Sequence, residues 1–118
     1  MRPLVLIESP YKGAVKLHKA YLRRCFRDSI NRGEVPLATH KLYIDVLDDN
    51  DPTQRELGMS MMKELIEKTA YSVVYYDLGL SPGMNRGIKY AIEIGKPVYR
   101  RSLYNHPAPD TLKDLRHD

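Results

Sequence analysis

Two short apolar runs constrain this chain more than any other feature. Leu4 to Ile7 reads Leu-Val-Leu-Ile, and Tyr71 to Tyr76 reads Tyr-Ser-Val-Val-Tyr-Tyr. Continuous runs of this length suit strands buried on both faces, the habit of parallel sheets. The second run is also rich in β-branched and aromatic residues, which strands favour. Around these runs the apolar period becomes helical. Tyr11 to Asn31 puts Ala14, Leu17, Tyr21 and Cys25 on one face, broadened by Leu22 and Phe26, and Gly33 stops it. Val35 to Thr39 reads as a second strand, despite Pro36. Residues 51–69 open with an acid, Pro52 and Thr53, then place Leu57, Met61, Leu65 and Ile66 on one face. A third helix begins at Gly83, carries Met84, Ile88, Ala91 and Ile92, and is closed by Gly95 and Pro97. Pro97 to Arg101 is a fourth strand.

Strands that alternate with helices predict an α/β domain: three layers, doubly wound, with a mainly parallel, Rossmann-like sheet and right-handed crossovers. The 118 residues allow one core. The domain is expected over 1–101. The tail, 102–118, holds Pro107 and Pro109 and a short helix from Asp110, and is expected to pack on the domain or on a neighbouring subunit.

Composition narrows the function classes. The net charge of +4 is mild for a nucleic-acid binder, and nucleic acid is not expected as the partner. Lys12, Lys16, Lys19, Arg23, Arg24, Arg27 and Arg32 fall in one segment, and Asp45, Asp48, Asp49, Asp51, Glu56, Glu64 and Glu67 in the next. This is first a solvated basic helix face, then a basis for subunit contacts. No apolar run approaches the ~20 residues that span a bilayer, so no membrane partner is expected. The opening MRPLVLIESP is short for a signal peptide and lacks a small-residue cleavage site. The single Cys25 excludes an internal disulfide and fits a cytoplasmic setting. Neither a metal nor a cofactor is expected: Asp48, Asp49 and Asp51 lack the spacing of a calcium loop and suit turn and capping roles. Met59, Met61 and Met62 read as core or subunit interface.

In a sheet of this kind ligands bind beyond the carboxyl ends of the strands. Those ends carry Glu-Ser-Pro-Tyr-Lys-Gly after the first strand, His40 after the second and Asp-Leu-Gly-Leu-Ser-Pro-Gly-Met after the third. Ser81, with the backbone near Gly83 and Met84, opens a helix, where free N–H groups and the helix dipole favour an anion. Ser9, Tyr11, Lys12 and Gly13 form a similar loop, in which Tyr11 could stack on a base or sugar and Lys12 could meet a phosphate. His40 could face the same cleft.

The combination of Ser-Pro-Tyr after the first strand, a histidine after the second, Asp-Pro-x-x-Arg-Glu-Leu-Gly in the second helix and Ser-x-Gly-Met after the third strand resembles the nucleoside 2-deoxyribosyltransferase-like proteins. Their fold group includes 2'-deoxynucleoside 5'-monophosphate N-glycosidases. The resemblance covers Leu4 to Arg100. It implies a nucleoside or nucleotide ligand and an assembly of dimers or larger, in which a neighbouring subunit completes the pocket. It also implies a glutamate on the third helix, four residues after the glycine of Ser-x-Gly, that attacks the anomeric carbon. Counting from Gly83, that position is Gly87.

Ser81 then matches the serine that binds a phosphate or 5' group, Ser9 and Tyr11 the first-loop contacts, and Asp77 an acid at a strand end. Asp77 is the remaining candidate to activate water, Glu8 is an acid that could reach the sugar, and Glu93 points away. The expectation is a homo-oligomeric nucleotide-binding protein that has lost the glycosidic nucleophile and sequesters a nucleotide or nucleotide-derived signal, as some phage proteins do. Gly87 would then enlarge the pocket. The alternatives are an active N-glycosidase or deoxyribosyltransferase with a displaced carboxylate, and an assembly protein that uses only the fold. For Gly87 itself, close helix–sheet packing is the competing explanation.

Overall fold

The computed structural model describes residues 1–43, 46–107 and 116–117, without the side chains of His40, Arg116 and His117. The elements run β1 (Leu4–Glu8), α1 (Val15–Asn31), β2 (Val35–Leu37), α2 (Thr39–Tyr43), α3 (Pro52–Lys68), β3 (Tyr71–Tyr75), α4 (Pro82–Glu93), β4 (Val98–Arg101) and β5 (Arg116–His117). The sheet has the order β2-β1-β3-β4-β5, and each of its pairings is parallel. This is the doubly wound α/β arrangement expected. The chain moves outward from β1 to β2, then returns across β1 to β3. The switch point, where crossovers to opposite faces leave a crevice, therefore lies at the carboxyl ends of β1 and β3.

Strand parity divides the core. Val5, Ile7, Val73 and Tyr75 pack with Tyr21, Leu22 and Cys25 of α1. Leu6 and Val74 point the other way, onto Met62 and Ile66 of α3 and Met84, Ile88 and Ala91 of α4. Both strands are buried almost throughout, which is why their sequences are continuously apolar.

Several local expectations are corrected. The first helix starts at Val15, not Tyr11, because Gly13 takes a positive φ of 88° that ends the loop after β1. Ala14 and Leu17 consequently lie outside the core, Leu17 at 55% exposure. The second strand ends at Leu37, and Thr39 opens the short α2, a helix with too few residues to show a period. Leu57 and Ile92 are 50% and 54% exposed, so the inward stripes are narrower than the apolar pattern. On α3 the buried residues are Met62 and Ile66, and on α4 they are Met84, Gly87, Ile88 and Ala91. β5 was not expected; it extends the sheet beside β4, in register Tyr99 with Arg116. The short helix expected from Asp110 lies outside the described residues. No described helix is long and apolar enough to cross a membrane.

A buried polar network on Glu34 ties β4 and β3 to the turn before β2. Arg101 donates to both oxygens of Glu34, at 2.7 and 2.6 Å, and the Ser29 hydroxyl (2.8 Å) and Tyr71 hydroxyl donate to the same carboxylate. Burial works against the charge on Glu34, but the Arg101, Tyr71 and Ser29 bonds outweigh it and hold its pKa down to about 2. This pair joins the end of β4 to the turn before β2.

Candidate functional site

A cleft opens at the carboxyl ends of β1 and β3, on the α3–α4 side of the sheet. Its floor holds Ile7 and Glu8. Tyr11 and Lys12 of the first loop, Thr39 and Tyr43 of α2, and Leu47 and Asp49 form one side. Arg55, Gly58, Met59 and Met62 of α3 form the second, and residues 81–84 with Arg86 of α4 form the third. The cleft encloses about 240 Å³.

One end of the cleft is built by α4. Ser81 is the N-cap: its Oγ accepts from the Met84 amide at 3.2 Å, and Pro82 follows at the first helical position. Acceptance leaves the hydroxyl hydrogen available for a ligand. Arg86 curls back over this turn, with one guanidinium nitrogen 3.8 Å from where a Cβ on Gly83 would lie. A hydroxyl donor, a helix N-terminus and a guanidinium thus face one small region.

The floor carries a carboxyl. Glu8 has the parity of Leu6, so β1 points it at the α3–α4 face, where it is 6% exposed. Its Oε2 has no hydrogen-bond partner among the described residues. Burial with no compensating charge pushes its pKa up to about 8. The group is therefore mainly protonated at neutral pH.

Glu8 also accounts for Gly87. A Cβ at position 87 would overlap Oε2 of Glu8 and lie 3.0 Å from its Cδ and 3.4 Å from Oε1. The space opposite Gly87 is thus filled by a carboxyl arriving from β1. This overturns the expectation that glycine there enlarges the pocket, and close packing is the reason for the glycine. Glu8 was named in the sequence only as an acid that could reach a sugar. The decisive signal was available: an acid at the last, inward-facing position of a buried strand, and a helix lacking a side chain.

The remaining sequence candidates divide as follows. Tyr11, Lys12, Ser81, Gly83 and Met84 line the cleft. Lys12 lies 3.5 Å from Asp49, an exposed pair at the rim. Ser9 is buried beneath the first loop and Gly13 shapes its turn, and neither lines the cleft. His40 falls between the lining residues Thr39 and Tyr43, but its side chain lies outside the described residues.

Asp77 is not a lining residue either. Its carboxylate accepts from the Tyr21 hydroxyl (2.6 Å), the Ser102 hydroxyl and the Leu103 amide (2.9 Å), and lies 3.2 Å from His106. Burial opposes its charge, yet these bonds and His106 hold its pKa below the ordinary value. A base for water needs a lone pair facing the substrate, and Asp77 spends its lone pairs anchoring residues 102–106.

Asp51 caps α3 by accepting from the Thr53 amide, and Asp48 accepts from the Asn50 amide, both turn and capping roles. No metal-ligand cluster occurs among the described residues. Arg55, Arg86, Met59 and Met62 were not foreseen as cleft residues. The two methionines were read as core or interface, and Met62 serves the core and the cleft wall together.

Residues 3–101 match the family described as a domain of unknown function, DUF7768. The chain belongs to this family. No curated protein matches its sequence. Among solved structures, the DUF7768 chain is similar to the 2-deoxyribosyltransferase of Bacillus psychrosaccharolyticus, with a TM-score of 0.69 and 15% identity over 95% of this chain and 81% of that one. It is also similar to the CMP N-glycosidase BcmB of Clostridium botulinum, with a TM-score of 0.56 and 10% identity over 92% of this chain and 76% of that one. At such identities the likeness is one of fold.

Proposed function

We propose that the cleft binds a nucleoside 5'-monophosphate or a closely related nucleotide. The observation that carries this reading is the make-up of one small cleft: Ser81, the α4 N-terminus and Arg86 at one end, and in the floor a buried carboxyl whose Oε2 has no partner among the described residues. The Ser81 end suits a phosphate. Tyr11 and Tyr43 offer ring faces on one side, and the methionines a wall against which a base can pack. The named activities of the two similar structures agree with a ligand of this class.

A second reading, cleavage of the N-glycosidic bond, is favoured by one observation. The Glu8 carboxyl fills the side-chain space of position 87, where the resemblance puts an attacking glutamate. Self-association, expected from the sequence, remains part of the proposal, and light scattering measures it.

Calorimetric titration with a panel of nucleoside 5'-monophosphates and the matching nucleosides tests the binding reading. At least one monophosphate binds, and more tightly than its nucleoside. Equal affinities, or none, contradict it. Chromatography of the same mixtures reads the second: free base appears if the bond is cut, and intact nucleotide is recovered if the protein only binds.

A further inference from the structure

Glu8 and Gly87 form one device. A carboxyl on a strand buried on both faces requires room on the facing helix, and the missing side chain at position 87 provides it. Half of the carboxyl is nevertheless unsatisfied among the described residues. Oε2 lacks a partner among the described residues although the group is almost wholly buried, and such groups are ordinarily satisfied. The neighbours on its own side of the sheet, Leu6 and Val74 beside it and Met84 and Ile88 across from it, are apolar. Oε2 lies against Gly87, and the residue also lines the cleft, so the carboxyl borders the ligand space.

We propose that Glu8 is a specificity-determining residue that donates a hydrogen bond from a protonated carboxyl to an acceptor atom on the nucleoside part of the ligand. The inference rests on the nucleotide reading above. Burial without a partner favours the neutral form, which carries one O–H donor. The charged groups lining the same cleft are Lys12 and Asp49 of the loops, Arg55 of α3 and Arg86 of α4, with the phenols of Tyr11 and Tyr43. Lys12 pairs with Asp49 at the rim, and Arg86 lies at the Ser81 end. None of the charged groups contributes to the displacement of the Glu8 pKa, whose cause is burial alone. The ligand space is where the carboxyl of a cleft residue can find an acceptor, and meeting a buried donor is worth more than meeting an exposed one. A neutral carboxyl also keeps an accepting oxygen, but only an acceptor on the ligand can take up its O–H, and this is the preference the proton adds.

The test is the pH dependence of affinity for the best-binding monophosphate of the panel, compared between the wild type and Glu8→Gln. Glutamine keeps a donor of similar shape and does not titrate. Between pH 7 and pH 9 the ligand's phosphate is mainly doubly charged, and any ionisation of its base affects both proteins alike, so a difference between the two profiles arises at Glu8. Wild-type affinity falls about tenfold over that range, as loss of one required proton with a pKa near 8 demands. Glu8→Gln changes less than about twofold and binds at pH 7 within about fivefold of wild type. Parallel profiles, or a variant that folds but does not bind, overturn the role of the proton while leaving the nucleotide reading intact. Absence of binding by every monophosphate overturns both. A measurement on the wild type alone does not depend on the variant's folding: infrared difference spectra at pH 7 show a protonated carboxyl that survives and shifts on binding, and its conversion to carboxylate refutes the proposal.

Discussion

Replacing Gly87 by alanine should change the sign of its effect according to what stands at position 8. In the wild type two terms oppose each other. Alanine gains about 1 kcal/mol over glycine in a helix interior. Its Cβ overlaps Oε2 of Glu8 and crowds Cδ at 3.0 Å, and overpacking of this kind costs about 1–3 kcal/mol. The clash falls on the end of a side chain, which can swing toward the cleft, so the net loss should be about 0.5–2 kcal/mol. With Glu8→Ala already present, nothing opposes the Cβ and only the helical gain of roughly 0.5–1 kcal/mol remains. The coupling between the two sites is therefore about 1–3 kcal/mol, large for a pair of substitutions and well above the noise of a double-mutant cycle. Urea denaturation of the four proteins at one pH measures it. If Gly87→Ala has the same sign and size in both backgrounds, Glu8 does not occupy the space opposite position 87, and the reasoning fails.

Four further outcomes follow from the structure. The Glu8 carboxyl binds its proton more tightly in the folded state, with a pKa of about 8 against an ordinary 4.5, so the native state loses stability as pH rises from about 4.5 to 8. The loss is on the order of 4–5 kcal/mol, and Glu8→Gln should flatten that part of a denaturation-versus-pH curve. Glu34 behaves oppositely: with its pKa held down to about 2, its contribution is present above 4.5 and disappears as pH falls toward 2. Arg101→Met strands the Glu34 carboxylate and should cost about 3–5 kcal/mol in thermal or urea unfolding. Ser81→Ala removes the α4 cap, costing about 1 kcal/mol of stability, and weakens monophosphates more than nucleosides in a titration.

Much of the architecture was legible because its signals are local. Leu4 to Ile7 and Tyr71 to Tyr75 could hardly be anything but buried parallel strands, and Ser81-Pro82-Gly83 is a helix start on any reading. Exposure was less legible. Leu17, Leu57 and Ile92 continue apolar periods past the point where a sheet or helix remains to cover them, and period carries no information on where the neighbour ends. β5 has only two residues, both polar, and takes its strand geometry from β4 rather than from its own composition.

The site divides in the same way. The loops at the strand ends announced themselves through Ser, Pro and Gly. The work of Asp77 did not, since its partners Tyr21, Ser102 and Leu103 are brought to it by the fold. Gly87 drew attention as a break in a helical pattern. Its explanation, Glu8, lies at the far end of the chain, and only the alignment of β1 beneath α4 joins them.

The central claim is that a nucleotide occupies the cleft with its phosphate at Ser81 and its nucleoside toward Glu8. Amide chemical-shift mapping on titration with a nucleoside 5'-monophosphate tests this directly. The account predicts the largest shifts at residues 81–87, at Glu8 and through the Tyr11–Lys12 loop, with the 81–84 shifts much reduced when the matching nucleoside is used. Shifts centred instead on α1 or on the Asp77 and Ser102 region, or a nucleoside pattern indistinguishable from that of the monophosphate, would contradict it.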